Sequence, residues 1–493
     1  MKATAEFDVV VIGAGSGNAL VGGGFPGQSV ALIDEGVPFG GTCLNKGCIP
    51  SKMLAHVGAV AHLIGQAPRL GLRQAPPEVD WPAVQRRVWQ RIDPIAAAGQ
   101  ASRAEAEGIE LIRGHARFVD PHLVSVDLLD GGQRQVSGRS FVIATGSRPV
   151  IPDLAGLDHP AVAARIHTSD DVMRLDRLPR SLAVMGGGVV ACEFADLFAN
   201  LGVDVTVVQR SSRLLRRADR EVSQLLTDDF ASRMRLRLNQ TLTEVQPAAD
   251  GLDLYAVDAD GIEYHYDAEA LLLAVGRRPN SDDLGLERAG VVVRDNGQVQ
   301  VDSHLRTSVP HIWALGDVDS PELLKHVANR EARVVRHNLE HPKDLVELDA
   351  RPIPWTLFSS PQVAGCGATE QALEQAGRSY RVGRQDFRDV AYGWAMAETS
   401  PYFAKVLADP DSGQILGAHI IGPEAALLLQ PLVQAMTFGL DAGAMARDQY
   451  WPHPGLQEVV ENALLKLDLT GPNPAGRRAS GRGLARRWGK ARG

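Results

Sequence analysis

Cysteine is scarce: Cys43, Cys48, Cys192 and Cys366 are the only four in 493 residues. That is far too few for a secreted disulfide scaffold of this length, and a close pair in a cytosolic setting points to catalysis rather than structure. Lysine is scarce too, since eight of the 51 Lys+Arg residues are Lys, a skew that carries no mechanism. No run of about 18 apolar residues occurs, so nothing is expected to span a membrane. A signal peptide is also missing, because Phe7 to Ile12 reads as a buried strand and lacks a basic n-region and a cleavage site. Nor is there an excess of positive charge: the formal net charge of -8 favours solubility and gives no reason to expect nucleic acid as a partner. On these grounds a cytoplasmic protein is expected. What is abundant is core material, with 44% hydrophobic and 22% charged residues, close to the average soluble chain. At this length a single core is excluded and roughly three or four domains are expected.

Two segments share one design, a short apolar strand running into a Gly-rich turn, then a helix, then a second apolar strand. They are Phe7 to Asp34 and Ser181 to Arg210. Each matches a βαβ dinucleotide unit, in which glycines permit the tight turn and seat a pyrophosphate on the helix N-terminus. Two such units imply two nucleotides. The first turn is Gly13-Ala-Gly15-Ser16-Gly17-Asn18, and Asp34 closes its second strand. An acid there accepts both ribose hydroxyls and suits a 2′-unphosphorylated nucleotide such as FAD, with Glu35 as the fallback. Asn18 departs from the usual third small residue. The second turn is Gly186-Gly-Gly188-Val189-Val-Ala191-Cys-Glu193. After its second strand the position of the acid is taken by Gln209, followed by Arg210 and then Arg216, an arrangement that a 2′-phosphate needs and an NAD site does not. NADPH is the expected second nucleotide. Further apolar strands end in Gly146, Gly276 and Gly316, as returns to a parallel sheet do.

The most specific stretch is Gly40-Gly41-Thr42-Cys43-Leu-Asn-Lys46-Gly-Cys48-Ile-Pro-Ser-Lys52. It resembles the active-site signature of the class I flavoprotein pyridine nucleotide-disulfide oxidoreductases, and the resemblance covers about residues 6 to 468. A structural disulfide or a metal half-site is the bland alternative for two nearby cysteines, but no further cysteine lies near in sequence, and no metal is expected. The resemblance implies an α/β fold of two Rossmann-like dinucleotide-binding domains, one for FAD and one for NAD(P), with an α+β C-terminal dimerisation domain. The expected boundaries are 1–150 for the first part of the FAD domain, 151–275 for the NADPH domain, 276–348 for the second FAD part and 349–468 for the dimerisation domain. A basic tail, 469–493, reads as disordered.

By resemblance, Cys48 is the flavin-proximal sulfur and Cys43 the interchange thiol that attacks the substrate disulfide. Lys52 lies against the flavin and pairs with Glu193. Lys46 stands where the family usually has Val. Gly41, Thr42, Ala116, Thr145, Gly146, Gly316 and Asp317 join the first turn in holding FAD, and Lys325 and His326 run beside its pyrimidine edge. Gly186, Gly188, Ala191, Arg210, Arg216 and Gly276 hold NADPH, while Val189 replaces a common aromatic cover of the nicotinamide pocket. His453-Pro-Gly-Leu-Gln-Glu458 resembles the His-Pro-x-x-x-Glu of the family, a proton shuttle that acts across a homodimer on the Cys43 of the other subunit. Cys192 and Cys366 have no such context and read as buried structural thiols.

Within the family the stretches Ser16-Gly-Asn18, Arg91-Ile-Asp-Pro-Ile95, Leu324 to Asn329, Val390 to Met396 and Gln434 to Gly439 resemble the mycothione reductases. In agreement, no Lys or Arg occurs between Lys2 and Lys46. The first helix therefore lacks the Arg with which glutathione reductases clamp substrate carboxylates, and an uncharged, sugar-containing disulfide would not miss it. The alternatives are an NAD-linked dihydrolipoamide dehydrogenase and, from another class, a flavin-binding subunit whose main role is assembly into a large complex. Mercuric reductases and large thioredoxin reductases need a second C-terminal redox pair, and no cysteine follows Cys366.

Overall fold

A computed structural model describes residues 5–469, apart from 23, 24, 26, 74, 76 and 350. At the centre of its first sheet Val9 to Ile12, Val30 to Asp34 and Phe141 to Ile143 are buried or nearly so on both faces, which is why they read as continuous apolar runs. β1 (Ala5–Ile12), β2 (Val30–Asp34), β3 (Ile109–Asp120) and β5 (Gln133–Ile143) pair in parallel in the order β3-β2-β1-β5, and β16 (Ile312–Ala314) adds itself to the far side of β5. β4 (Leu123–Leu128) joins β3 to β5 as an antiparallel excursion. Val11 lies beside Leu32 on one side and Val142 on the other. The turn after β1 is followed by α1 (Gly17–Leu20), α2 (Gly41–Asn45), α3 (Cys48–Gln66) and α4 (Trp81–Ala104). The helix expected after the first turn is thus a single turn long. Gly22, Gly23, Gly24 and Pro26 follow it in sequence, and these residues have the poorest helix propensity.

The chain leaves the first sheet through β6 (Ser147–Pro149), α5 (Pro160–Ala163) and β7 (Ile166–His167) and enters a second parallel sheet. That sheet comprises β7, β8 (Ser181–Met185), β9 (Asp204–Gln209), β10 (Arg235–Leu238) and β14 (Ala270–Leu273), ordered β10-β9-β8-β14-β7. α6 (Val189–Asn200) connects β8 to β9, and α7 (Arg220–Arg233) connects β9 to β10. β11 (Gln240–Ala248), β12 (Gly251–Asp258) and β13 (Glu263–Ala268) form an antiparallel meander on this unit. β15 (Arg277–Pro279) then returns antiparallel to β6, Arg277 opposite Pro149, so the way in and the way out of the second unit lie side by side. α8 (Leu286–Ala289), β16 and α9 (Lys325–Glu340) complete the first unit.

The remainder is an antiparallel sheet of β17 (Trp355–Leu357), β18 (Gln362–Gly367), β19 (Arg381–Asp386), β20 (Phe403–Ala408) and β21 (Ile415–Gly422), ordered β17-β18-β21-β20-β19. α10 (Glu370–Gln375), α11 (Ala391–Ala395), α12 (Ala425–Phe438), α13 (Ala442–Arg447) and α14 (Glu458–Leu465) accompany it. The short α13 is started by the Asp441 carboxylate, which accepts the Ala444 N–H at 2.7 Å. The largest apolar cluster ignores these divisions. It joins Leu54, Trp81 and Ile92 of α3 and α4 to Phe198 and Phe230 of the second unit and to Leu357, Phe403 and Ile421 of the last. Among the described residues no helix is long and apolar enough to cross a membrane. Residues 470–493, which hold nearly all of the expected basic tail, lie outside those described.

Candidate functional site

The first turn is shaped by two glycines that admit no side chain. Gly13 has φ +105, and a Cβ there would lie 2.3 Å from the Ala144 carbonyl oxygen. Gly41 has φ +77, and its Cβ would lie 2.4 Å from the Cα of Gly15, so the cysteine loop rests directly on the turn. Asp34 accepts the Ala14 N–H at 2.9 Å and the Arg113 guanidinium at 2.7 Å. Burial raises its pKa against the pull of both donors. Glu35, the fallback acid, is engaged elsewhere, accepting from His115 at 2.8 Å, which leaves Asp34 as the acid at the turn. A glycine turn closed by a buried carboxylate fits an unphosphorylated ribose and its pyrophosphate. The Asn18 side chain is held by Arg103 of α4, whose Nε donates at 2.6 Å, so this residue ties α1 to α4.

Cys43 lies in α2 and is half-buried; Cys48 is the first residue of α3 and is exposed. Between them Asn45 acts as a staple that the sequence did not advertise. Its amide donates to the carbonyls of Phe39 at 2.9 Å, Pro38 at 3.1 Å and Gly41 at 3.2 Å, and a polar residue buried between two cysteines was the signal available. The two sulfurs share a hydrogen bond that divides their roles. Cys48 is pulled down to about 7 by the Cys43 hydrogen bond and then by Lys52 and Lys325, against its burial. Cys43 is pushed far above the usual thiol range by the same bond and by burial.

Lys52, one turn further along α3, donates to Glu193 of α6 at 2.7 and 2.9 Å, the pair expected from the sequence. Glu193 also accepts the Phe358 N–H at 2.9 Å, and the Lys52 ammonium stands 5.0 Å over the Phe358 ring. Three residues on, Asp196 accepts the Ser360 N–H at 2.9 Å. The loop before β18 is thus clamped to α6, a contact invisible to motif reading because its members stand more than a hundred residues apart in sequence. Lys46 pairs with Asp170 at 3.6 Å.

On the opposite wall Thr145 and Asn280 exchange bonds of 2.7 and 2.9 Å, Ser147 donates to Asp317 at 2.6 Å, and the Gly316 N–H donates to Glu331 at 2.6 Å. Burial, with the Asp317 charge, raises the Glu331 carboxyl to about 7. Gly146 and Gly316 both take positive φ, +72 and +82. Lys325 opens α9 and donates to the Ser16 hydroxyl at 3.2 Å, while His326 bonds the Pro354 carbonyl at 2.9 Å. The Ala116 side chain is buried in the apolar core, opposite Val126.

In the second turn Gly186 has φ +131, and a Cβ would lie 2.4 Å from the Ala274 oxygen. At Gly187 a Cβ would meet the Gln209 amide at 2.4 Å, so the residue standing in place of the acid leans onto the turn itself. Gly188 caps α6, Val189 is part-exposed in its first turn, and Ala191 is buried. Arg210 and Arg216 are both exposed in the stretch after β9, and Gly276, with φ +142, has open space where a Cβ would stand. Cys192 and Cys366 are buried, and burial raises both thiols, Cys366 to about 11.

His453 bonds Glu458 through Nδ1, but its side chain is 72% exposed, and among the described residues no hydrogen bond or ion pair joins it to Cys43 or Cys48. No cluster of three or more His, Cys, Asp or Glu among the described residues could hold a metal ion.

Comparison with known proteins agrees with this geometry. Residues 7–332 match the family described as pyridine nucleotide-disulphide oxidoreductase, and residues 353–464 match its dimerisation domain. The chain is 44% identical to a mycothione reductase of Mycobacterium tuberculosis over 94% of this chain and 99% of that protein. It is 33% identical to a dihydrolipoyl dehydrogenase of Chlamydia muridarum, over 94% and 97%. Among solved structures the Cu(II) complex of the flavoprotein disulfide reductase RclA from Escherichia coli superposes with a TM-score of 0.83 at 25% identity, covering 94% of this chain and 99% of that one. The chain therefore belongs to the pyridine nucleotide-disulphide oxidoreductase family, as a disulfide reductase that takes FAD and NADPH and carries the family's dimerisation domain.

Proposed function

We propose that this enzyme reduces mycothione, an uncharged, sugar-containing disulfide, to mycothiol in the cytoplasm at the expense of NADPH. The single observation that carries the reductase chemistry is the placement of Cys43 and Cys48 on the loop that rests on the first glycine turn, with the Lys52–Glu193 pair one turn further along α3. The choice of disulfide is supported by the 44% identity to a mycothione reductase, against 33% to a dihydrolipoyl dehydrogenase. A first turn and α1 without any cation support it as well.

Bound FAD supplies the carrier that passes two electrons from NADPH to the Cys43–Cys48 disulfide. The turn shaped by Gly13, Gly15 and Gly17 would hold its pyrophosphate, Asp34 would take the ribose, and Lys52, held by Glu193, would lie against the flavin. Gln209, Arg210 and Arg216 select the 2′-phosphate of NADPH, and Gly186, Gly188 and Gly276 keep its path clear. In the reduced enzyme Cys43 gives its proton to His453 of the partner subunit and attacks one substrate sulfur. The S–S bond breaks, and the first thiol leaves carrying that proton. Cys48 then attacks Cys43 in the mixed disulfide, the second thiol leaves and takes up a proton from solvent, and the Cys43–Cys48 bond is restored. The sum is NADPH, one proton and one disulfide in, NADP⁺ and two thiols out. Glu458 holds the imidazole of His453 for this transfer.

The test is an anaerobic NADPH titration of the purified protein, followed by mycothione, glutathione disulfide or lipoamide. Rapid reoxidation by mycothione alone is expected. Equal kcat/KM for all three would remove the substrate and spare the family chemistry, and a preference for lipoamide would favour the dihydrolipoamide dehydrogenase reading.

A further inference from the structure

Among the described residues Lys405 of β20 is the only lysine or arginine that is buried, its side chain 1% exposed. A lysine leaves water completely only where anions take the place of the water. Three carboxylates do so here: Asp219 at 2.6 Å, Glu221 at 2.7 Å and Glu370 at 2.9 Å. Lys405 and Glu370 belong to the dimerisation domain, whereas Asp219 and Glu221 stand at the start of α7 in the second unit, so the cluster bolts the two together. Asp219 is at its centre and fully buried, and each of its oxygens also holds backbone. Oδ1 accepts the Glu221 N–H at 3.2 Å as the cap of α7, and Oδ2 accepts the Glu370 N–H at 3.3 Å. Beside it the Gln371 side chain donates to the Ala218 carbonyl at 2.8 Å and accepts the Arg220 N–H at 3.2 Å. Three consecutive residues of the second unit, Ala218, Asp219 and Arg220, are therefore gripped from the dimerisation domain.

Those three residues end the stretch that follows β9 and carries Arg210 and Arg216. The stretch is fixed at a second point. Leu215 has φ +46, a conformation that a leucine keeps only where its surroundings impose it, and its N–H donates at 2.8 Å to the carbonyl of Gly187 in the second glycine turn. Its own carbonyl accepts the Ala218 N–H at 2.8 Å. Arg216 and Arg217 are thus the exposed crest of a tight turn, tied on one side to the glycine turn and on the other to the dimerisation domain. We propose that Lys405, together with Gln371, is a positioning residue for nucleotide selection. Through Asp219 and Ala218 it sets where the Arg216 guanidinium stands, so the preference for NADPH is fixed in part from the dimerisation domain. The inference rests on the reading of Arg216 as a ligand of the 2′-phosphate. A guanidinium binds phosphate through bonds of defined geometry, so a displaced turn loses that contact and spares the portion of the nucleotide that NADH shares.

The test is stopped-flow reduction of the flavin in the holoenzyme over a range of NADPH and of NADH concentrations, with no disulfide present. Two variants are compared with the parent, Lys405→Met and Gln371→Ala. The second cuts the grip on Ala218 and Arg220 without leaving buried acids unpaired, and it decides alone if Lys405→Met does not fold. The Kd for NADPH should rise about tenfold in Lys405→Met and about threefold in Gln371→Ala, the weight of one or two hydrogen bonds. The Kd for NADH, and the limiting rate of flavin reduction at saturating NADPH, should stay within about twofold, because the chemistry at the flavin does not involve the phosphate. In an Arg216→Ala background Gln371→Ala should add nothing further, as residues acting through one contact do. A Gln371→Ala enzyme with the parent ratio of the two affinities overturns the proposal. So does equal weakening of NADPH and NADH, which marks the cluster as a support of the fold only. If Arg216→Ala itself leaves the ratio unchanged, the phosphate assignment fails and the proposal with it; a fall in Arg216→Ala without one in Gln371→Ala removes the positioning role and spares the assignment.

Discussion

At the scale of single residues the central feature is the inequality of two sulfurs five positions apart. Cys48 titrates from a lowered position near 7, so its thiolate is present above that pH and is lost as the pH falls through it. The reduced enzyme should show a thiolate-to-flavin band that fades on acidification with a midpoint about 7, read by spectrophotometric titration. Cys43→Ser should keep the band and Cys48→Ser should lose it, while both lose disulfide turnover; the reverse pattern would exchange the two roles. The second residue-scale prediction concerns the nucleotide. Two guanidinium groups bind a phosphate dianion with charge-assisted bonds, so replacing Arg210 and Arg216 together by Ala should lower the NADPH/NADH ratio of kcat/KM by at least about tenfold with flavin still bound. Both predictions were readable in the sequence, because the cysteine signature and the missing acid are local. The Arg113 grip on Asp34 and the Lys325 bond to Ser16 were not, since each partner is brought in by the fold from 79 and 309 positions away.

At the scale of elements, α6 does two jobs. Its N-terminal turn presents the second glycine motif, and the face beyond it holds Glu193 and Asp196 against the loop before β18. Arg233 of α7 completes that clamp, donating to Asp196 at 3.0 Å and to Asp229 at 2.9 Å, with its side chain 20% exposed. Arg233→Ala would leave two carboxylates largely buried without their cation, and such a loss costs about 3 kcal/mol. Urea denaturation should show it, together with weaker flavin reduction by NADPH as the Lys52–Glu193 pair loses its support. An Arg233→Lys variant retains charge but not the forked geometry and should recover only part. Element reading from sequence succeeded where periodicity was long, in the apolar strands and in α12 and α14. It found a helix after the first turn but not its brevity, and it passed over α13, whose six residues are too few to show a period.

At the scale of the whole molecule the proposed site needs two chains. His453 is held by Glu458 at the surface, apart from the cysteines, and Leu427, Phe438 and Tyr450 are exposed nearby in the same dimerisation domain. A closed two-fold pairing covers such a face and gives two equivalent sites, each drawing on both chains. Homodimers of Cys43→Ser and of His453→Ala should both be nearly inactive. Unfolded and refolded together, they should regain activity, because one of the two sites in the mixed dimer combines an intact Cys43 with an intact His453 of the partner subunit. Mixed dimers without any gain in NADPH-dependent reduction would rule out the shared site.

The apolar cluster that joins α3 and α4 to β17, β20 and β21 has a consequence for biosynthesis. Trp81 and Ile92 leave the ribosome early, yet Phe403 and Ile421, which complete their surroundings, emerge roughly 320 residues later, an interval on the order of 20 to 60 s at ordinary elongation rates. For that time the nascent chain carries a greasy face that the second unit, through Phe198 and Phe230, covers only in part, and it cannot reach its final form by finishing one domain before beginning the next. Chaperone occupancy during translation, and aggregation of chains halted before β20, should follow from the same contacts that make the finished enzyme rigid.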